Sequence, residues 1–524
     1  MTRQRVLASG VFAAGIFIGL IAVTSTAQAP AGDGKVTPPV LQSGDTTVTV
    51  DTILTPEQQK TLLGDEDEIL HFVSRDTQLP IKSAVKCRFI TRDAVAKELR
   101  KKFDEDKGAK RMERSELVLK KFGLLDQDFK MRPFLLSLLT EQIAGFYDNK
   151  TRQMNLLDWV PIDEQKPVMA HELTHALQDQ HVGLEKWGNQ EIEGVAKNVA
   201  EDNRHIATDD TDSAREAVLE GQAMVTFADH MIADAGHPGK TLKDFPEIGK
   251  SMEANAGDMS DSPVLARAPL VLQQSLLFPY TSGLAFEEAV LLKSGTERAF
   301  AGVLDSSPST TYEILTPAAY LRSQTIPLMT LPDIHPMLKD AGYDPYDVGV
   351  MGELDVRMTA ELFGGRPLAE ALAPEWDGGI YYAAQRRSAT QAEKDTTASI
   401  ALLYSSRWKN EDSARSFFEV FEQELPRQYD GLKRRQSDEK DDNERVYTTR
   451  EGDVVLSRND RSVWISEGYD LAMARKLRDA VDAANLSLGK GPVMRAGTSP
   501  VDHDLVGSLV GAIGQFGMMK AWLR

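Results

Sequence analysis

The chain has 524 residues, 41% of them hydrophobic and 27% charged, and carries a formal net charge of -19. That length points to about two to four folding units with the composition of a soluble globular protein. The acidity excludes nucleic acid and anionic lipid as electrostatic partners, since no basic face is left to neutralise phosphates. The single cysteine, Cys87, excludes an intrachain disulfide and a cysteine-based zinc site.

Arg3 and Arg5 precede an apolar run over residues 6–23, and Ala27-Gln28-Ala29 supplies a small-x-small cleavage pattern. Residues 1–29 therefore read as a signal peptide, and the protein as exported, periplasmic or secreted. No cysteine follows the cleavage pattern, which excludes a lipoprotein anchor. Cleavage is expected. An uncleaved copy of this segment is the one membrane attachment the sequence offers.

Residues 30–50 are rich in Pro, Gly, Ser and Thr and read as a flexible linker. A helix is expected over 55–74, a strand over 82–91, and one or two amphipathic helices over 93–122. Strand-like runs at 144–147 and 153–157 flank Asp148-Asn149-Lys150, which is turn chemistry, so a β-hairpin is expected. A helix should begin near Pro167, because proline suits a first turn. Residues 189–212 are polar and acidic without a clear period. Helices follow at 213–235, 264–274 and 284–294.

The composition shifts near 332–345. Beyond it, strands are expected at 379–384, 398–404, 445–450, 454–456 and 462–466, with helices at 410–425 and 470–483. This order suggests a small α+β sandwich. Residues 436–444 read as a solvated charged loop, and 505–519 as a packed tail helix. The expected domains are 51–335, then 336–490, then a tail at 491–524.

The most informative stretch is His171-Glu172-Leu173-Thr174-His175. Residues four apart share a helix face, so both imidazoles can address one ion. Glu172 lies beside that pair and can take a proton from a metal-activated water without ligating.

A catalytic zinc usually has three protein ligands. Three candidates compete for the third place. His181 has the spacing seen in metzincins, but those need a helix-breaking glycine where this chain has Gln178. On an unbroken helix His181 would stand about 15 Å from His171 along the axis. Asp209, Asp210 and Asp212 read as a solvated loop. The third candidate is Glu216 or Glu220 in Arg215-Glu216-Ala217-Val218-Leu219-Glu220-Gly221-Gln222-Ala223. Both glutamates share a face. Gly221 and Ala223 would let the two helices approach closely, which favours Glu220. Glu216 then becomes a supporting partner to a ligand histidine, or an exposed helix acid.

The histidine motif, followed 45 residues after His175 by Glu220-Gly221-x-Ala223, resembles the gluzincin branch of zinc peptidases. The longer phrase Ala170-His171-Glu172-Leu173-Thr174-His175-Ala176-Leu177-Gln178-Asp179-Gln180-His181 resembles a group of bacterial zinc metallopeptidases. So do Gly145-Phe146-Tyr147-Asp148, Phe278-Pro279-Tyr280-x-x-Gly283, and Pro308-Ser309-Thr310 leading to Ile314-Leu315-x-Pro317. The resemblance covers 141–320. It implies that the first domain of the expected α+β fold is zincin-like, mostly helical with a small sheet; the second, smaller α+β domain is expected from the order of its elements alone.

The resemblance also implies that the hairpin offers an edge strand to an extended peptide. Tyr280 becomes a candidate hydrogen-bond donor to an oxyanion, against the alternative of a packing tyrosine; Tyr312 and Tyr147 are further candidates. The function expected is zinc-dependent peptide hydrolysis, with Zn2+ on His171, His175 and Glu220, Glu172 as general base, and a peptide or protein as substrate. The competing expectations are a non-catalytic exported binding protein that retains the fold, and a zinc amidase acting on a non-peptide substrate.

Overall fold

The computed structural model describes residues 53–486 apart from 106, 143–144, 185–186, 188–194, 246–247, 250–261 and 325–327. The expected signal peptide, linker and tail helix lie outside these residues, as do positions 189–194 of the acidic stretch. No helix among the described residues is long and apolar enough to cross a membrane.

The first part of the fold is helical around a three-stranded sheet. Helix α1 (Pro56–Thr77) starts at Thr55, whose side chain and that of Gln58 each satisfy the other's backbone N–H. Strand β1 (Lys86–Ile90) follows, then α2 (Arg92–Glu105), α3 (Lys107–Lys121) and α4 (Met131–Gln142). Strands β2 (Gly145–Asp148) and β3 (Gln153–Leu157) form the expected hairpin. Asp148 Oδ1 accepts from the N–H of Lys150 and Thr151 at 3.0 and 3.1 Å, which fixes the turn. The sheet order is β1-β3-β2, with β1 parallel to β3, so β2 is an edge.

Helix α5 (Ile162–Val182) carries the histidines. It begins five residues before Pro167, which lies inside it. The start at Pro167 is thus corrected. Pro167 is the sixth residue of the helix, past the N–H groups that lack an i−4 partner, so it removes one intrahelical hydrogen bond and the helix continues through it. Residues 167–178 are buried without exception, so α5 is an inner helix rather than an amphipathic one.

Helix α6 (Val199–Thr208) occupies part of the stretch that shows no period. Asn198 caps it by accepting from the N–H of Ala200 and Glu201. Helix α7 (Thr211–Asp234) follows almost at once. The two helices expected at 264–274 and 284–294 are one, α8 (Leu270–Ser294), which runs through Pro279.

Helices α7 and α8 touch backbone to backbone. A Cβ on Gly221 would lie 2.3 Å from the Gly283 carbonyl oxygen, and one on Gly283 would lie 2.1 Å from that of Ala217. Gly221 therefore serves the α7–α8 crossing, not an approach of α7 to α5. Successive residues on a helix are about 100° apart, so the neighbour of Glu220 faces a different helix.

The second part is a seven-stranded antiparallel sheet ordered β4-β5-β6-β10-β9-β8-β7. Its strands are β4 (Tyr343–Val350), β5 (Trp376–Arg386), β6 (Ile400–Trp408), β7 (Lys433–Arg434), β8 (Glu444–Thr449), β9 (Gly452–Asn459) and β10 (Ser462–Glu467). Helices α9 (Glu353–Gly364), α10 (Arg366–Leu372), α11 (Glu411–Gln428) and α12 (Leu471–Asn485) accompany it. The α+β class is as expected, and each strand and helix expected beyond 345 is present. The charged loop at 436–444 needs correction at its end. Glu444 is buried and pairs with Arg475 and Arg478 of α12.

Asp209, Asp210 and Asp212 are buried at the junction of α6 and α7, not solvated. The partners of the first two come from about a hundred residues or more further on. Asp209 accepts from the N–H of Val350 at 2.6 Å. Asp210 accepts from the N–H and hydroxyl of Thr311 at 2.7 and 3.0 Å. Burial pushes the Asp210 carboxyl up to about 7. These bonds seat the start of α7 against the end of β4 and the short helix that begins at Thr311.

The far end of α7 is tied to α1 by two carboxyl groups. Asp229 hydrogen-bonds Asp76 and accepts from the N–H of Leu242 at 2.6 Å. Burial first, then the charge of Asp76, raise Asp229 to about 8. The folded protein thus holds a proton that the unfolded chain releases above about pH 4. Stability should fall as pH rises between these values, by up to about 1.4 kcal/mol per pH unit for one proton. Asp229→Asn needs no such proton. Its thermal unfolding midpoint, measured from pH 5 to 8, should decline less than that of the unsubstituted chain. Equal slopes would show that the pair holds no proton.

Candidate metal centre

Two inner helices build the centre. His171 and His175 lie one turn apart on α5, and Glu220 lies at mid-length on α7. Their ligand atoms lie within 4.8 Å of one another, and all three side chains are buried. His171 Nε2 and His175 Nε2 are 3.1 Å apart. Glu220 Oε2 is 3.0 Å from the first and 3.6 Å from the second.

These separations suit a metal. Tetrahedral ligation at about 2.0–2.1 Å sets ligand atoms about 3.3 Å apart. Two imidazole nitrogens and a carboxylate oxygen are also a donor set that takes a divalent ion. A buried His171, His175 and Glu220 group that can hold a metal ion is therefore present.

Glu172 lies beside this group and is held by the sheet. Its Oε2 accepts from the backbone N–H of Tyr147 in β2 at 2.9 Å. A Cβ on Gly145 would stand 3.0 Å from Val168 and 3.7 Å from the Glu172 side chain, so glycine lets β2 lie directly on α5. Tyr280 of α8 completes the surroundings. Its ring is stacked on His171 with centroids 6.4 Å apart. Its hydroxyl is driven well above the usual phenol range, first by burial and then by the charges of Glu216 and Glu172. Tyr280 thus sits among His171, Glu172 and Glu216, and Glu216 is a buried acid rather than an exposed one.

The other candidates lie elsewhere. His181, at the end of α5, pairs with Asp305 at 3.0 Å. The Tyr147 hydroxyl donates to Asp179 at 3.0 Å. Tyr312 packs against Trp376 and Lys409.

Two residues that had no supporting role in the reading of the sequence hold the centre in place. Gln178 Oε1 lies 2.8 Å from His175 Nδ1. The Gln178 amide nitrogen donates to the Leu219 carbonyl and to Gln222 Oε1 at 3.1 and 2.9 Å. The signal for Gln178 was its position three residues after a candidate ligand histidine, on the same helix face. Gln222 had no comparable signal. Comparison with models of known protein families, with curated proteins and with solved structures finds no match.

Proposed function

We propose that the chain is a zinc-dependent peptidase with a zincin-like first domain of the gluzincin type. The observation that carries this reading is the convergence of His171, His175 and Glu220 beside a glutamate tethered to a sheet edge. His171, His175 and Glu220 would hold the ion. Zinc in that place supplies Lewis acidity, polarising a carbonyl and acidifying water.

The chain's own residues do the rest. Glu172 accepts a proton at its carboxylate and returns it to the departing amine. The Tyr147 N–H holds that carboxylate in place, so little reorganisation is needed when the proton moves. Tyr280 would donate a hydrogen bond to a developing oxyanion, and burial keeps its hydroxyl protonated. Strand β2, at the edge of its sheet, is the backbone an extended peptide would lie along. Export through the N-terminal segment fits an enzyme acting on peptides outside the cytoplasm.

The test is a screen of quenched peptides with the zinc-loaded protein, repeated after chelation. Hydrolysis should vanish with the metal and return when zinc is restored. A protein that takes up no zinc, or zinc-loaded protein that cleaves none of a broad peptide set, would overturn the proposal.

A further inference from the structure

We propose that Gln178 and Gln222 form a neutral relay that fixes the proton of His175 on Nδ1, leaving the Nε2 lone pair for the metal. The inference rests on the metal centre described above, but Gln178 and Gln222 are not among its three candidate ligands. Gln222, Gln178 and His175 are each fully buried.

The direction of the relay is set at its far end. The Gln222 amide nitrogen lies 2.8 Å from the Ala299 carbonyl and 3.1 Å from that of Phe300. Carbonyl oxygens accept and never donate, so the nitrogen end of Gln222 must face them. Its Oε1 is thereby turned towards Gln178, 2.9 Å from that residue's amide nitrogen. A second acceptor checks the same orientation. The Leu219 carbonyl also receives the Gln178 nitrogen, at 3.1 Å. Gln178 is left with only its oxygen to offer His175 Nδ1. An amide oxygen cannot donate, so Nδ1 must carry the proton.

Reversing the relay would set Gln222 Oε1 against two carbonyls and Gln178 Oε1 against a third. Each buried polar group stripped of its partner costs about 1–3 kcal/mol. The Ala299 and Phe300 carbonyls belong to the π-helical turn Arg298–Gly302, which follows α8. The orientation of a candidate ligand on α5 is therefore set through α7 by a backbone turn more than a hundred residues away. Because both intermediates are amides, the relay orients the imidazole without adding charge beside Glu220. Outer partners of this kind typically govern metal affinity by 10–100-fold.

The test uses the full chain labelled with 15N-histidine, in the metal-free state at a pH where the ring is neutral. The His175 resonances, assigned by difference from a His175→Gln variant, should report a proton on Nδ1. Gln222→Met preserves side-chain length and touches neither histidine nor the ion. It should bring the Nε2-protonated form into view and weaken zinc binding by about 10–100-fold, read by competition with a chromophoric chelator. A proton on Nε2 in the unsubstituted protein overturns the relay without any variant. So does a folded Gln222→Met protein with unchanged tautomer and zinc affinity. The two proposals fail separately. Protein with Nδ1 protonated that takes up no zinc would sink the peptidase reading and leave the relay standing.

Discussion

Glu172→Gln is expected to keep its zinc and to lose peptide hydrolysis by a factor of about 10²–10⁴, the usual contribution of a positioned acid–base group. The substitution isolates one property. Glutamine has the shape of glutamate, and its amide oxygen can still accept from the Tyr147 N–H that now holds Glu172 Oε2 at 2.9 Å. What it lacks is a basic oxygen for the proton of the attacking water. Zinc content should stay unchanged, because the proposed ligands are His171, His175 and Glu220 and not Glu172. KM should move little, since removing an interaction made only in the transition state lowers kcat and kcat/KM together. Full activity in this variant would remove Glu172 from the mechanism.

The centre was legible in the sequence where its geometry is local. Two histidines four apart on one helix can be placed by spacing alone. Glu220 was reached by a choice between two glutamates on one face, helped by Gly221. The structure brings Glu220 to the histidines, but for Gly221 it shows a different role. That residue lies about 100° round the helix and meets Gly283 of α8. Glu220 joins the group that can hold an ion, but the close approach that favoured it belongs to another helix pair.

What could not be read depends on distant partners. Asp209 and Asp210 look solvated in sequence because the groups that bury them, Val350 and Thr311, lie 141 and 101 residues further on. Strand β4 escaped notice for a local reason. Pro345 interrupts its pattern, and its register shifts between Pro345 and Asp347. Proline is tolerated there because β4 is the outermost strand of its sheet. Pro279 misled in the opposite sense. It lies in the gap between the two helices expected at 264–274 and 284–294, yet α8 continues through it. The strands and helices beyond 376 were clear because alternating strands and capped helices carry their signals locally.

Removing a ligand should separate the two glutamates of α7 and test the centre as a whole. Glu220→Gln is expected to lose zinc, because its Oε2 stands 3.0 and 3.6 Å from the two histidine nitrogens and an amide is a poor substitute for the carboxylate. Glu216→Gln should retain zinc, since Glu216 lies by the Tyr280 hydroxyl and outside the group of three converging ligand atoms. His175→Ala should also lose the ion. The loss can be read without any assay of hydrolysis. A ligand bound only by the folded state stabilises it by RT ln(1 + [L]/Kd), about 4 kcal/mol at a thousandfold excess over Kd. Added zinc should therefore raise the unfolding midpoint of metal-free protein and of Glu216→Gln, and leave Glu220→Gln and His175→Ala nearly unmoved. A zinc-dependent rise in Glu220→Gln equal to that of the unsubstituted chain, or a loss of it in Glu216→Gln alone, would exchange the roles of the two acids. That exchange would require α7 to slide by about 6 Å along its axis, against its close backbone packing on α8 at Gly221 and Gly283.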